Sequence, residues 1–67
     1  IENDLRKLVD NLPEEQKEVV MMRYFGDLSF KEIAEQTNVS INTALGRMRY
    51  ALINLRKMIK ENQLILT

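Results

Sequence analysis

Ser29-Phe30-Lys31-Glu32-Ile33-Ala34-Glu35-Gln36-Thr37-Asn38-Val39-Ser40-Ile41-Asn42-Thr43-Ala44 is the stretch whose reading decides the fold. Ser29 followed three residues later by Glu32 is a capping box, in which each side chain satisfies a backbone N–H left orphaned at a helix start. Leu28 and Ile33 stand where a hydrophobic staple across that cap requires apolar groups. Phe30, Ile33 and Ala34 then face inward, and the helix is expected to stop near Gln36 or Thr37. Asn38 suits the turn, because asparagine enters the left-handed region more easily than other non-glycine residues. Ser40 is a good N-cap for the next helix, with Val39 and Ala44 as its staple pair. Ala34 supplies the small residue needed where the two helices cross. A short helix, a tight turn and a capped second helix in this register define a helix-turn-helix.

Outward from this unit the chain is helical in both directions. From Ile41, apolar residues recur at Ala44, Leu45, Met48, Ala51, Leu52, Leu55 and Ile59, at intervals of three and four. No proline interrupts them before about Glu61, so the helix spans on the order of 30 Å. Such a stripe also fits a coiled-coil seam, which leaves dimerisation open. Upstream, Leu5, Leu8, Val9 and Leu12 mark a first helix over about Glu2–Asn11. Pro13 opens a second helix at its first position, and Glu14 and Glu15 complement the dipole there. Val19-Val20-Met21-Met22 and Phe25 give that helix a broad buried face. Gly26-Asp27 ends it, with glycine expected in the left-handed conformation. The fold class is therefore all-α: a single domain over residues 1–67, with four helices and a C-terminal helix-turn-helix. The tail, with Leu64-Ile65-Leu66, docks either on the core or on a partner.

Composition excludes more than it proposes. The chain has no cysteine and no histidine, which removes disulfides, thiolate metal sites and the usual general base. It carries no Gly-rich phosphate loop, and the paired Glu14 and Glu15 read as helix-start charge rather than an acid–base pair. No catalytic residue, metal site or cofactor is expected. No apolar run reaches the ~20 residues of a membrane span, and no signal peptide opens the chain, so the expected compartment is the cytoplasm. A start at Ile1 reads as a fragment of something longer. The net charge is zero but unevenly spread. Residues 1–36 hold five Lys/Arg against nine Asp/Glu, whereas residues 37–67 hold five against Glu61 alone. The second half carries a local positive field that suits nucleic acid or, equally, a solvated helix face.

The ordered set Leu12-Pro13, Tyr24-Phe25, Leu28-Ser29, Glu32-Ile33-Ala34, Ser40, Thr43-Ala44, Arg47-Met48, Ala51 and Leu55 resembles region 4 of bacterial sigma factors, specifically the extracytoplasmic-function group. The resemblance covers about residues 5–58. It implies a C-terminal domain that binds the −35 element of double-stranded promoter DNA and rests on the β flap of core RNA polymerase. It also implies that an anti-sigma protein can occupy the same surfaces, and that the remainder of the factor lies N-terminal to this chain.

Geometry and resemblance together nominate contact residues. Ser40, Asn42 and Thr43 crowd polar groups at the recognition-helix N-terminus, suited to phosphate oxygens and base edges. The family's base-reading positions match Leu45, Gly46, Arg49 and Tyr50. Arg49 suits guanine O6/N7 or phosphate, and Tyr50 suits phosphate or a base edge. Leu45 and Gly46 depart from the family's usual arginine and serine. Leucine would pack on a thymine methyl while glycine lets the backbone approach closely, but Leu45 reads somewhat better as core than as a base contact. Arg47 has two readings, a phosphate contact or an internal pair with a carboxylate such as Glu35. Lys31, Arg56, Lys57 and Lys60 are backbone-contact candidates or solvated charge. Two rival functions remain: the helix-turn-helix output domain of a response regulator, and a protein-interaction bundle that uses the apolar stripe. The opening Leu12-Pro13-Glu14-Glu15-Gln16 and the long basic last helix favour the sigma reading.

Overall fold

The computed structural model describes residues 2–62, with side chains from 5 to 61. The Leu64-Ile65-Leu66 tail lies outside the described residues. Among them the chain forms α1 (Glu2–Asp10), α2 (Glu14–Val20), a π-helical turn continuing α2 (Met21–Phe25), α3 (Phe30–Thr37) and α4 (Ile41–Asn62). All-α architecture follows the helical periodicity, and α3 with α4 forms the helix-turn-helix.

Both predicted caps are made. Glu32 N–H donates to Ser29 Oγ at 3.1 Å and Ser29 N–H donates to Glu32 Oε1 at 2.8 Å. The Ser29 backbone N–H, and after it the Ser29 hydroxyl, hold the Glu32 carboxyl below its ordinary pKa by favouring the ionised form. Asn38 ends α3 with φ 59° and ψ 44°. Val39 N–H reaches back to the Ala34 carbonyl at 3.0 Å, the long bond of a Schellman turn, and Thr37 Oγ1 donates to the Ile33 carbonyl at 2.7 Å.

The end of α2 differs from expectation. Gly26 has φ −97°, and the left-handed residue is Asp27 at φ 59°. Glycine is required at 26 for another reason: a Cβ there would stand 2.9 Å from the Met22 carbonyl oxygen. The Gly26 N–H bonds to the Met21 carbonyl, five residues back, at 2.9 Å, and the Leu28 N–H bonds to the Met22 carbonyl at 3.0 Å. In this widened turn Tyr24 and Phe25 follow Val19 and Val20 at five-residue spacing. Phe25 is consequently 54% exposed rather than core, and Met21 and Met22 are half-buried. Pro13 also shifts by one position. It caps α2 from outside, at φ −53° and ψ 146°, and its carbonyl accepts from Gln16 and Lys17.

The core draws on all four helices: Leu8, Val9 and Leu12, then Val19 and Val20, then Ile33 and Ala34, then Ala44, Met48, Ala51 and Leu55. Helix α4 is the common partner, packing on α1, α2 and α3. Ala44 and Ala51 are fully buried and Ala34 nearly so, and their small side chains allow close approach of the helix axes. A side-chain bond crosses between α2 and α4, from Asn54 Nδ2 to Gln16 Oε1 at 2.7 Å, and is partly buried. The packing leaves one long face of α4 open to solvent from its first turn.

Candidate nucleic-acid interface

Helix α4 begins with a formed serine cap. Ser40 Oγ accepts from Thr43 N–H at 3.1 Å and donates to Thr43 Oγ1 at 3.0 Å. The cap thus occupies Ser40 and Thr43 with each other, while Asn42 is exposed beside them. The first N–H groups of a helix have no intrahelical acceptor and carry the positive end of the dipole. With the serine cap serving Thr43, the N–H groups of Ile41 and Asn42 remain to meet an outside acceptor.

The residues nominated from sequence separate into three groups. Asn42, Thr43, Arg49 and Tyr50 are exposed, Tyr50 at 59%, and share the outward face of α4 at helical spacing with Gly46. Leu45 belongs with them. It is 42% exposed, so the core alternative for Leu45 is overturned: Ala44 and Met48 fill the interior that leucine would have occupied. Arg47 stands apart. Its Nη2 lies 3.9 Å from Glu15 Oε2 on α2, and its side chain is largely covered. The internal partner is Glu15, not Glu35, because α2 rather than α3 passes the Arg47 side of α4. Glu15 is itself well exposed, so this pair adds well under ~1 kcal/mol and leaves Arg47 able to exchange partners.

Lys31 is exposed in the first turn of α3, at the end of that helix away from Asn38. Arg56 and Lys57 lie about 20 Å along α4 from Thr43, too far to join the N-terminal cluster. Lys57 is exposed, and Arg56 belongs to a different feature.

That feature is an apolar groove of about 330 Å³, which sequence reasoning missed. Leu5 and Val9 form one wall and Val20, Tyr24 and Phe25 another, while Leu52, Leu55 and Ile59 form the floor with Arg56 at the rim. Leu5 is 44% exposed and Tyr24 63%. The Arg6 guanidinium sits 5.0 Å above the Phe25 ring, and Arg23 sits 5.4 Å above Phe30 while donating to the Leu28 carbonyl. The adjacent aromatics before Gly26 were the available signal, but Phe25 was expected on the buried face of the second helix.

Among the described residues no group of His, Cys, Asp and Glu could hold a metal ion, and no helix is long and apolar enough to cross a membrane.

Comparison with known proteins agrees with this geometry. The family described as "Sigma-70, region 4" matches residues 2–52. The chain is 35% identical over 63 residues to the RNA polymerase sigma factor SigV of Bacillus subtilis (strain 168), covering 94% of this chain and 38% of that protein. It is 36% identical over 53 residues to the ECF RNA polymerase sigma factor RpoE of Cereibacter sphaeroides, covering 79% of this chain and 29% of that protein. The chain thus spans about a third of the length of the curated relatives it matches. No solved structure matches. These likenesses favour neither the response-regulator output domain nor the pure interaction bundle. With a capped helix-turn-helix, an open face on α4 and a match over most of its length, the chain belongs to the sigma-70 region 4 family.

Proposed function

We propose that this chain reads the −35 element of double-stranded promoter DNA with the N-terminal half of α4 and docks on core RNA polymerase through its apolar groove. The observation that carries the first part is the open end of α4, where unpaired N–H groups, Asn42, Arg49 and Tyr50 converge on one face. Ser40, Asn42 and Thr43 would meet phosphates at the edge of the major groove, and Arg49 and Tyr50 the bases or the backbone beyond them. Arg47 and Lys31 would add phosphate contacts from either side of the turn. Arg47 would exchange Glu15 for DNA on binding.

The groove between α1, the end of α2 and α4 supports the second part. It lies toward the far end of α4 from Asn42, so both partners fit at once. An apolar segment of the polymerase β flap would seat on Phe25, Leu52 and Leu55, inside a rim made basic by Arg6 and Arg56. Lys57 would face solvent or the polymerase rather than DNA. An anti-sigma protein covering either surface would silence the factor. On this reading the chain acts in the cytoplasm by binding alone, with no catalytic group and no cofactor.

The test uses the factor that carries this chain, bound to core polymerase, on its own promoter and on the same promoter with a scrambled −35 element. Arg49→Ala and Tyr50→Ala are expected to abolish the advantage of the native promoter while leaving polymerase binding intact. Phe25→Asp is expected to weaken polymerase binding instead. If neither scrambling nor the α4 substitutions changed transcription, and the factor never bound polymerase, the reading would be wrong.

A further inference from the structure

Two residues on the outward face of α4 have no internal reason to be what they are. Gly46 is the sixth residue of a 22-residue helix, inside its second turn, where glycine is less favourable than alanine. Its φ is not positive, and a Cβ built on it meets no heavy atom within 4 Å. Gly26 is the opposite case, with a backbone oxygen 2.9 Å from the same position. Nothing within the domain therefore asks for glycine at 46.

Its neighbours at three and four residues are Asn42, Thr43, Arg49 and Tyr50, all exposed. The missing side chain leaves a notch in the middle of that polar ring, where the helix backbone itself is the surface. Beside the notch stands Leu45, 42% exposed, with Ile41 at 44% one turn earlier on the same edge. Scattered apolar residues on a surface need no explanation, but these two flank the notch and lie within the face that carries Asn42 and Arg49.

Major-groove chemistry matches this arrangement. The thymine 5-methyl group is the distinctive apolar feature among the base edges there, and close approach of a helix backbone needs glycine. Resting on the reading that α4 enters the major groove, we propose that Gly46 lets the helix backbone close on the DNA and that Leu45 packs on the methyl group of one thymine. The domain thereby recognises that base pair by its methyl rather than by a hydrogen bond. Arg49, one turn on from Leu45, reads or anchors the neighbouring position.

The experiment uses the sigma factor carrying this chain in complex with core RNA polymerase, and a promoter selected by that holoenzyme from randomised duplex DNA. Each −35 thymine is replaced in turn by deoxyuridine, which deletes only the 5-methyl group. One replacement is expected to weaken binding by about fourfold, the worth of one buried methyl-sized group. Leu45→Ala is expected to lose the same factor and to become insensitive to that replacement. Gly46→Ala is expected to weaken promoter binding by at least about fivefold while slowing hydrogen exchange of the α4 amides by about fivefold, since alanine is the better helix former. A selected element without thymine, no sensitive thymine, undiminished sensitivity in Leu45→Ala, or full promoter binding by Gly46→Ala would each overturn the proposal. Selection of no −35 sequence at all would overturn the DNA reading beneath it as well.

Discussion

Replacing Gly26 by alanine isolates a steric requirement from a conformational one. Gly26 sits at φ −97° and ψ −9°, a conformation that alanine adopts without strain. In a permissive site this change would stabilise the domain by about 0.4–1 kcal/mol, because the unfolded chain loses freedom. The site is not permissive. The new Cβ would stand 2.9 Å from the Met22 carbonyl oxygen, and the Met22 backbone carries the bond that closes the π turn onto Leu28. The obstacle is backbone rather than the flexible end of a side chain, so relief requires the turn to open. Overpacking of this kind costs about 1–3 kcal/mol, leaving a net loss near ~1 kcal/mol after the entropic gain. For a domain of this size that lowers Tm by roughly 4–8 °C. Thermal unfolding followed by far-UV circular dichroism reads the shift directly. Asp27→Gly is the control: Asp27 holds φ 59°, so glycine there is expected to leave Tm unchanged or raise it. A Gly26→Ala variant as stable as the parent would refute the steric account, and an Asp27→Gly variant that loses several degrees would refute the left-handed assignment of position 27.

Two further outcomes follow from the caps and the core. The Glu32 carboxyl is held below its ordinary value of 4.5 by the Ser29 N–H and hydroxyl, so between its folded and unfolded pKa the unfolded chain binds more protons. Its contribution is present above the unfolded value and lost as pH falls through the folded one; Glu32→Gln should flatten that part of the acid side of a stability–pH curve, and an unchanged slope would show the cap to be idle. The partly buried Asn54–Gln16 bond should give a coupling of about 0.5–1.5 kcal/mol in a double-mutant cycle of Asn54→Ala with Gln16→Ala, measured by urea unfolding, and a coupling near zero would mean that water serves both amides equally well.

What the sequence determined by itself is what depends on near neighbours. The capping box at Ser29 and Glu32, the left-handed turn at Asn38 and the Ser40 cap are each settled within three to five residues, by hydrogen bonds whose partners are in the same stretch of chain. Inward placement of Val19, Ile33, Ala44 and Ala51 was equally legible, because helical spacing and apolar character coincide there. The outward face of α4 was legible in the same way, and its nomination for DNA contact came from the resemblance to sigma-factor region 4. Tertiary structure decided the rest, wherever two local solutions compete or the partner is distant in sequence. Gly26 and Asp27 could each take the left-handed position, and the widened turn chose Asp27. That turn left Phe25 outside the core beside Tyr24 and, with Leu5 and Ile59, made a groove that no single helix encodes. Leu45 could have been interior until Ala44 and Met48 filled the space, and Arg47 found Glu15 because α2 crosses α4 beside it. Caps and periodicity report where helices begin and which way they face; only the angle at which they cross reports what their remaining side chains meet.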